Sequence, residues 1–156
     1  MNFLLVTTAL FLFTALQARL PTLVWLGGLR LEFLPALVAY GALTFRHRRW
    51  ALTLAIAAGF FQDALSAGPF GSTVAAYVVA TFLLIALARN FDREAIWMPM
   101  LGGALASVAA SAAAGATIGF TAGSVAKLLL LALLSGAVAP LVFLTLDSLR
   151  YRTRPV

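Results

Sequence analysis

The sequence contains no cysteine and a single histidine, His47. Without cysteine the chain has no disulfide, no thiol nucleophile and no thiolate metal ligand, and one histidine rules out a two-histidine metal site. Charged residues are also scarce, at 10% of the chain, whereas soluble domains carry about 25%. This composition excludes thiol chemistry and argues against a water-soluble fold.

Catalytic motifs are lacking as well. The sequence has no nucleophile elbow, no Gly-Lys-Ser/Thr phosphate loop and no group of histidines, so we expect no enzymatic activity and no cofactor. The net charge of +6 would suit nucleic acid, but the basic residues lie between apolar runs and form no separate basic domain. Their placement indicates a membrane topology signal and no nucleic-acid partner.

Long uncharged runs are what the sequence does contain. Residues 95–126 and 128–146 carry no charged side chain. Because about 20 apolar residues in a helix cover a hydrocarbon core of roughly 30 Å, we predict an all-α integral membrane protein with one domain, embedded in a lipid bilayer. The first run has no basic leader or cleavage pattern and is interpreted as a retained helix. Six spans are expected at about 3–18, 31–45, 50–65, 72–88, 96–117 and 125–146.

The basic residues predict the orientation of these spans. Six spans place both termini on one side, and that side receives eight of the eleven basic residues: Arg46, Arg48, Arg49, Arg89, Arg93, Arg150, Arg152 and Arg154. The other side receives three: Arg19, Arg30 and Lys127. Because Lys and Arg concentrate in cytoplasmic loops, we expect both termini in the cytoplasm.

The second and third apolar blocks are short for a membrane span. Either their helices extend past Glu32 and Asp63, or the bilayer thins around them. Both alternatives put Asp63 below the outer surface. The same carboxylate precedes Gly68, Pro69 and Gly71, residue types that mark a turn.

A carboxylate at membrane depth needs a partner, since insertion of Asp at the centre costs about 2.5–3.5 kcal/mol. Three alternatives are open for Asp63. Its oxygens accept hydrogen bonds from backbone N–H groups of the turn, or they pair with Arg19 or Arg30, or they serve a proton or ion relay. A relay needs further acidic or imidazole groups inside the bundle, and no other span offers one.

The fifth span carries small residues at every fourth position. This pattern lets helix backbones approach closely and predicts tight helix packing. Because the span is rich in Ala, Gly, Ser and Thr, the pattern does not identify which face packs. The stripe consists of Gly103, Ser107, Ser111, Gly115 and Gly119. Pro140 in the sixth block should kink or divide that helix.

Two segments resemble a known family. The first is Arg30-Leu-Glu-Phe-Leu-Pro35, and the second, after a basic turn, is Gly-Phe-Phe-Gln-Asp-Ala-Leu-Ser-Ala-Gly-Pro-Phe-Gly at 59–71. The second resembles the Gly…Asp…Leu-Ser…Gly pattern of the MreD family of rod shape-determining membrane proteins, although Ala67 stands where the family usually has Gly. The positions that match are Gly59, Asp63, Leu65, Ser66 and Gly71. The resemblance covers most of the chain.

This resemblance implies a six-helix bundle similar to the S-components of energy-coupling-factor transporters. It also implies a non-enzymatic role in the bacterial inner membrane, where the protein would bind an MreC-like single-span protein. Further partners would be a RodA-like glycosyltransferase, a class B transpeptidase and the actin-like MreB, which together direct peptidoglycan synthesis during elongation. The residues expected to form a partner-binding or structural turn are Gly59, Asp63, Ser66, Gly68, Pro69, Phe70 and Gly71. The alternative function is a small-molecule-binding subunit of an uptake transporter.

Overall fold

The computed structural model describes residues 3–20, 31–45, 47–66, 70–91, 95, 97–118 and 122–152. These residues form six α-helices and no β-strand, so the all-α expectation is confirmed. Each helix lies on one of the six apolar blocks of the sequence. In chain order they are α1 (Phe3–Arg19), α2 (Leu34–Thr44), α3 (Arg48–Leu65), α4 (Ser72–Leu87), α5 (Trp97–Ile118) and α6 (Ala122–Arg152).

Basic, glycine and proline residues mark where the helices begin. α3 starts at Arg48, directly after His47 in extended conformation, and α4 starts directly after Gly71, whose φ is 96°. Pro35 lies in the first turn of α2, where its missing N–H removes no helical hydrogen bond. Pro140 lies inside α6, which continues as one helix, so the sixth apolar block is not divided there.

α2 lies at the centre of the bundle. It packs against each of the other five helices, and every residue from Leu34 to Leu43 is buried. Of the two alternatives for the short blocks, extension holds for α3, which passes Asp63, and fails for α2, which begins after Glu32. Neighbouring helices cover α2. The medium around the bundle, whether lipid or water, therefore does not determine how long α2 is.

The core combines a few large side chains with many small ones. Tyr40 and Tyr77 are the largest fully buried side chains, and the Tyr40 ring packs edge-on against Phe143 at 5.0 Å between centroids. Ala55 and Ala80 are fully buried as well. Small residues of this kind allow close helix approach, which brings polar groups near the helix ends within hydrogen-bond reach of neighbouring helices.

Part of the small-residue stripe on α5 lies in the contact with α6. A Cβ atom at Gly103 would lie 2.8 Å from the carbonyl oxygen of Ser135, and the Ser135 hydroxyl donates to the Gly103 carbonyl at 3.1 Å. Ser107 is fully buried too. The backbones of α5 and α6 therefore approach each other closely at Gly103 and Ser135. Of the remaining stripe positions, two are half-buried and one is outside the described residues: Ser111, Gly115 and Gly119, respectively.

α6 has the length of a membrane-crossing helix. Within the described residues, the segment Val125–Tyr151 is long and apolar enough to cross a membrane, whereas the apolar parts of α1, α2, α4 and α5 are shorter. Its surface away from the core is apolar, with Leu129 62% exposed and Leu133 71% exposed. Length and surface composition together suit α6 to contact with hydrocarbon.

Candidate functional site

Antiparallel packing brings four parts of the chain to one end of the bundle. The end of α1, the segment before α2, the end of α3 and the start of α4 meet there, and each contributes polar side chains. We call this group the polar cluster. Its members are Gln17, Glu32, Gln62, Asp63, Thr73 and Tyr77.

The Asp63 carboxylate joins the end of α3 to the start of α4. Its Oδ2 accepts a hydrogen bond from the Gly71 backbone N–H at 2.7 Å, and its Oδ1 accepts one from the Thr73 N–H at 3.2 Å. Asp63 is only 3% exposed. A carboxylate at the N-terminus of a helix satisfies N–H groups that have no intrahelical acceptor and interacts favourably with the helix dipole. This geometry corresponds to the first of the three alternatives for Asp63.

The alternative of an ion pair with Arg19 does not describe this arrangement. Among the described residues, no ion pair joins Asp63 to Arg19, whose side chain is exposed at the end of α1. Arg30, Gly68 and Pro69 lie outside the described residues. Backbone donors, which are fixed in position by α4, therefore take the place of a flexible cation.

Two glycines and a serine support the same turn. A Cβ atom at Gly59 would lie 2.5 Å from the Val74 Cα, so glycine is required where α3 crosses the first turn of α4. Gly71 has the left-handed φ of 96° that glycine adopts without strain. The Ser66 hydroxyl donates to the Asp63 carbonyl at 3.3 Å, at the end of α3. The geometry of the turn thus explains why glycine or serine occupies each of these three positions.

Next to the turn, two aromatic rings form an exposed pair. Phe60 and Phe70 lie 5.4 Å apart between centroids, and they are 47% and 69% exposed. Phe70 directly precedes Gly71, whose N–H is held by Asp63. The carboxylate therefore positions an apolar surface patch as well as closing the turn. We call Phe60 and Phe70 the aromatic pair.

Two glutamine amides connect α1, α3 and the segment before α2. The Gln17 Nε2 donates to the Gln62 Oε1 at 2.7 Å, and the Gln62 Nε2 donates to the Glu32 Oε1 at 3.2 Å. The Gln17 Oε1 in turn accepts from the Phe33 N–H at 3.2 Å. Because each amide both donates and accepts, the direction of the chain of hydrogen bonds is defined and ends on the Glu32 carboxyl.

Glu32 is a second acid inside the same end of the bundle. The expectation that no other group of this kind accompanies Asp63 is wrong, because the segment before α2 folds inward and is hydrogen-bonded to Gln62. Glu32 precedes α2 and lies outside the helices, and burial raises the pKa of its carboxyl to about 7.

Two polar atoms of the cluster have no hydrogen-bond partner among the described residues. They are the Glu32 Oε2 and the Tyr77 hydroxyl, and both are buried. Tyr77 is completely inaccessible and lies within electrostatic range of both Glu32 and Asp63. Buried polar groups are nearly always hydrogen-bonded, so an acceptor and a donor left without partners at one site require an explanation.

Sequence reasoning found Asp63 and missed Glu32, Gln17 and Tyr77 as its companions. A weak signal was present, because Gln17 and Glu32 are polar residues at the ends of two apolar blocks that antiparallel spans place at one end. No comparable signal marks Tyr77, since a tyrosine within an apolar block is common in helices. Only the packing of α4 against α2 and α3 identifies it.

The chemistry of the cluster is hydrogen bonding, with carboxyl, amide and hydroxyl groups supplied by four parts of the chain. Among the described residues, no group of three or more His, Asp and Glu side chains is placed to hold a metal ion. Comparison of the chain with protein-family models, with curated proteins and with solved structures finds no match. Function is therefore inferred from the residues and geometry of this chain.

Proposed function

We propose that the protein is a non-enzymatic scaffold of the bacterial cell-elongation machinery. It would be a multi-pass protein of the inner membrane with both termini in the cytoplasm. Its role would be to bind a single-span, MreC-like partner and to help position peptidoglycan synthesis by a RodA-like glycosyltransferase and a class B transpeptidase, alongside MreB. The proposal extends the family resemblance of residues 30–35 and 59–71.

The observation that carries the proposal is the aromatic pair held beside the Asp63 turn. Motif residues Gly59, Asp63 and Gly71 each serve the geometry of one turn. That turn presents Phe60 and Phe70 on the surface. Exposed aromatic rings on a rigid support are typical anchors for a partner, because they bury a large area and lose little conformational entropy on binding.

The surface of the bundle supports a membrane setting. The exposed leucines of α6 suit hydrocarbon, and Trp50 and Trp97 are 43% and 42% exposed at the starts of α3 and α5. Tryptophan favours the boundary between hydrocarbon and headgroups, so their position agrees with the cytoplasmic boundary that the basic residues predict.

Co-purification from a rod-shaped bacterial host tests the proposal. The tagged chain, solubilised gently, should recover a single-span periplasmic protein together with wall synthases. Replacing the aromatic pair (Phe60→Ala with Phe70→Ala) should reduce this recovery by at least tenfold, the effect of losing about 1.4 kcal/mol at an interface. Phe82→Ala is the matched control, since Phe82 is 49% exposed on α4 and is not a member of the aromatic pair.

Two outcomes would contradict the proposal. Equal recovery with the pair variant and with the Phe82 variant would remove the aromatic pair from the interface. Recovery of a membrane coupling protein with paired ATPases, in place of wall synthases, would assign the bundle to an uptake transporter.

A further inference from the structure

The unpartnered groups at Glu32 and Tyr77 stand apart from the turn that Asp63 closes. Both Asp63 oxygens have backbone donors, whereas Glu32 has one donor for its two oxygens within the described part of the chain, the Gln62 amide. In that same part of the chain, the buried Glu32 Oε2 and the buried Tyr77 hydroxyl have no partner. The cluster thus contains one carboxyl that is fully hydrogen-bonded and one that is not.

Charge at this site is also unbalanced among the described residues. Among the described residues, Glu32 accepts from Gln62 of α3 and lies within electrostatic range of Tyr77 of α4, and neither of these two groups is a cation. A buried carboxylate without a positive partner is costly, so such groups bind a cation or take up a proton.

We propose that Glu32 and Tyr77 form a buried site for a small hydrogen-bond-donating cation: either a proton held by the Glu32 carboxyl or the ammonium group of a small primary amine. The occupant donates a hydrogen bond, or its proton, at Oε2. Tyr77 then pairs with the protonated carboxyl or with the amine through its hydroxyl. This site is separate from the aromatic pair and does not depend on the proposed scaffold function.

Proton binding has a defined effect on stability. The pKa of a buried, unpaired carboxyl is higher in the folded than in the unfolded chain, so between these two pKa values the folded state holds more protons than the unfolded state. Stability is therefore lost as pH rises from the ordinary range of glutamate toward neutrality. Glu32→Gln keeps the shape of the side chain and can still accept from Gln62, but it has no ionised form.

The experiment uses the purified full-length protein in lipid nanodiscs. The thermal-unfolding midpoint is measured between about pH 5 and about pH 9 for the wild type, Glu32→Gln, Tyr77→Phe and Asp147→Asn. We expect the wild-type midpoint to fall by several degrees with rising pH and the Glu32→Gln midpoint to fall much less. Asp147→Asn is the control at the opposite end of the bundle and should keep the wild-type slope.

Added salts distinguish the two sources of the cation. Methylammonium chloride should raise the wild-type midpoint above neutral pH if an amine is the occupant, whereas tetramethylammonium chloride, a cation with no N–H, should not. If a proton is the occupant, neither salt acts, and the wild type shows an infrared band of a protonated carboxyl that Glu32→Gln lacks. Tyr77→Phe should weaken either effect while the protein stays folded.

The proposal is overturned if the wild type and Glu32→Gln have the same pH slope and methylammonium has no effect on either. Should Glu32→Gln fail to fold, the infrared band and the methylammonium response of wild type and Tyr77→Phe decide the question. A wild type with neither the band nor the response contradicts the proposal equally.

Discussion

The acidic side chains at the two ends of the bundle lie in opposite environments, one buried and one near solvent. At the end formed by the polar cluster, Asp63 is almost fully buried and both of its oxygens are occupied by backbone donors. At the other end, Asp147 is 46% exposed, accepts from the Tyr40 hydroxyl at 3.2 Å and lies 4.0 Å from Arg150. The first acid closes a turn between two helices, whereas the second joins α6 to α2 near solvent.

This difference teaches where the fold tolerates change. A group that is buried among fixed backbone donors has no substitute when it is removed, because water does not reach the donors left behind. A half-exposed ion pair is replaced by water at little cost. We call the end that holds Asp147 and Arg150 the basic end. Substitutions at the polar-cluster end should therefore cost much more stability than similar substitutions at the basic end.

The largest effect is expected for Asp63→Ala. It leaves the N–H groups of Gly71 and Thr73 without acceptors in a buried site, and at about 1–3 kcal/mol for each group the loss should be about 2–5 kcal/mol of unfolding free energy. Reversible unfolding in one detergent, compared with the wild type, measures it. A loss below that of Asp147→Asn would show that the buried carboxylate is not needed to close the turn.

A smaller loss is expected for Gly59→Ala. The added Cβ would lie 2.5 Å from the Val74 Cα and 2.8 Å from its N, so α3 and α4 must separate. Overpacking of this kind costs about 1–3 kcal/mol. Gly41→Ala is the control, since its nearest obstacle is the Leu54 side chain, which moves more easily than backbone. Equal losses of unfolding free energy in the two variants would contradict a close approach of the α3 and α4 backbones at Gly59.

The smallest effect is expected for Asp147→Asn at the basic end. The amide oxygen still accepts from the Tyr40 hydroxyl, and only the charge interaction with Arg150 is lost. Exposed pairs of this kind contribute less than about 1 kcal/mol. The same unfolding measurement at low and high salt should give nearly the same small difference. A loss as large as that of Asp63→Ala would remove the contrast between the two ends.

Much of the candidate site was accessible from the sequence. Asp63 and Gly71 are predictable because a carboxylate, and a glycine near a proline, are unusual among apolar residues, and unusual residue types have few structural explanations. Gly59 is indicated only by the family resemblance. The stripe on α5 was identified as a packing pattern, but its partner was not. That partner is the segment of α6 around Ser135, and a pattern of small residues contains no information about what packs on it.

Glu32 shows most clearly what the sequence does not contain. Its position beside an apolar block suits a loop exposed to solvent as well as a buried site. The hydrogen bond from Gln62 to Glu32 joins residues that are 30 positions apart in the sequence. The hydrogen bond from Gln17 to Gln62 joins residues that are 45 positions apart. Contacts at such separations follow from how helices pack, because local residue preferences act over only a few positions.

The residue pattern is enough to predict that this protein is helical, how many helices its described residues form, and approximately where each helix begins and ends. Those properties follow from the length of apolar runs and from local breaks at charged, glycine and proline residues. The tertiary structure alone decided that α2 is enclosed by the other helices and that Asp63 is held by the backbone of α4. The same packing brings Glu32 within electrostatic range of the buried Tyr77, because burial and proximity depend on the arrangement of several helices at once.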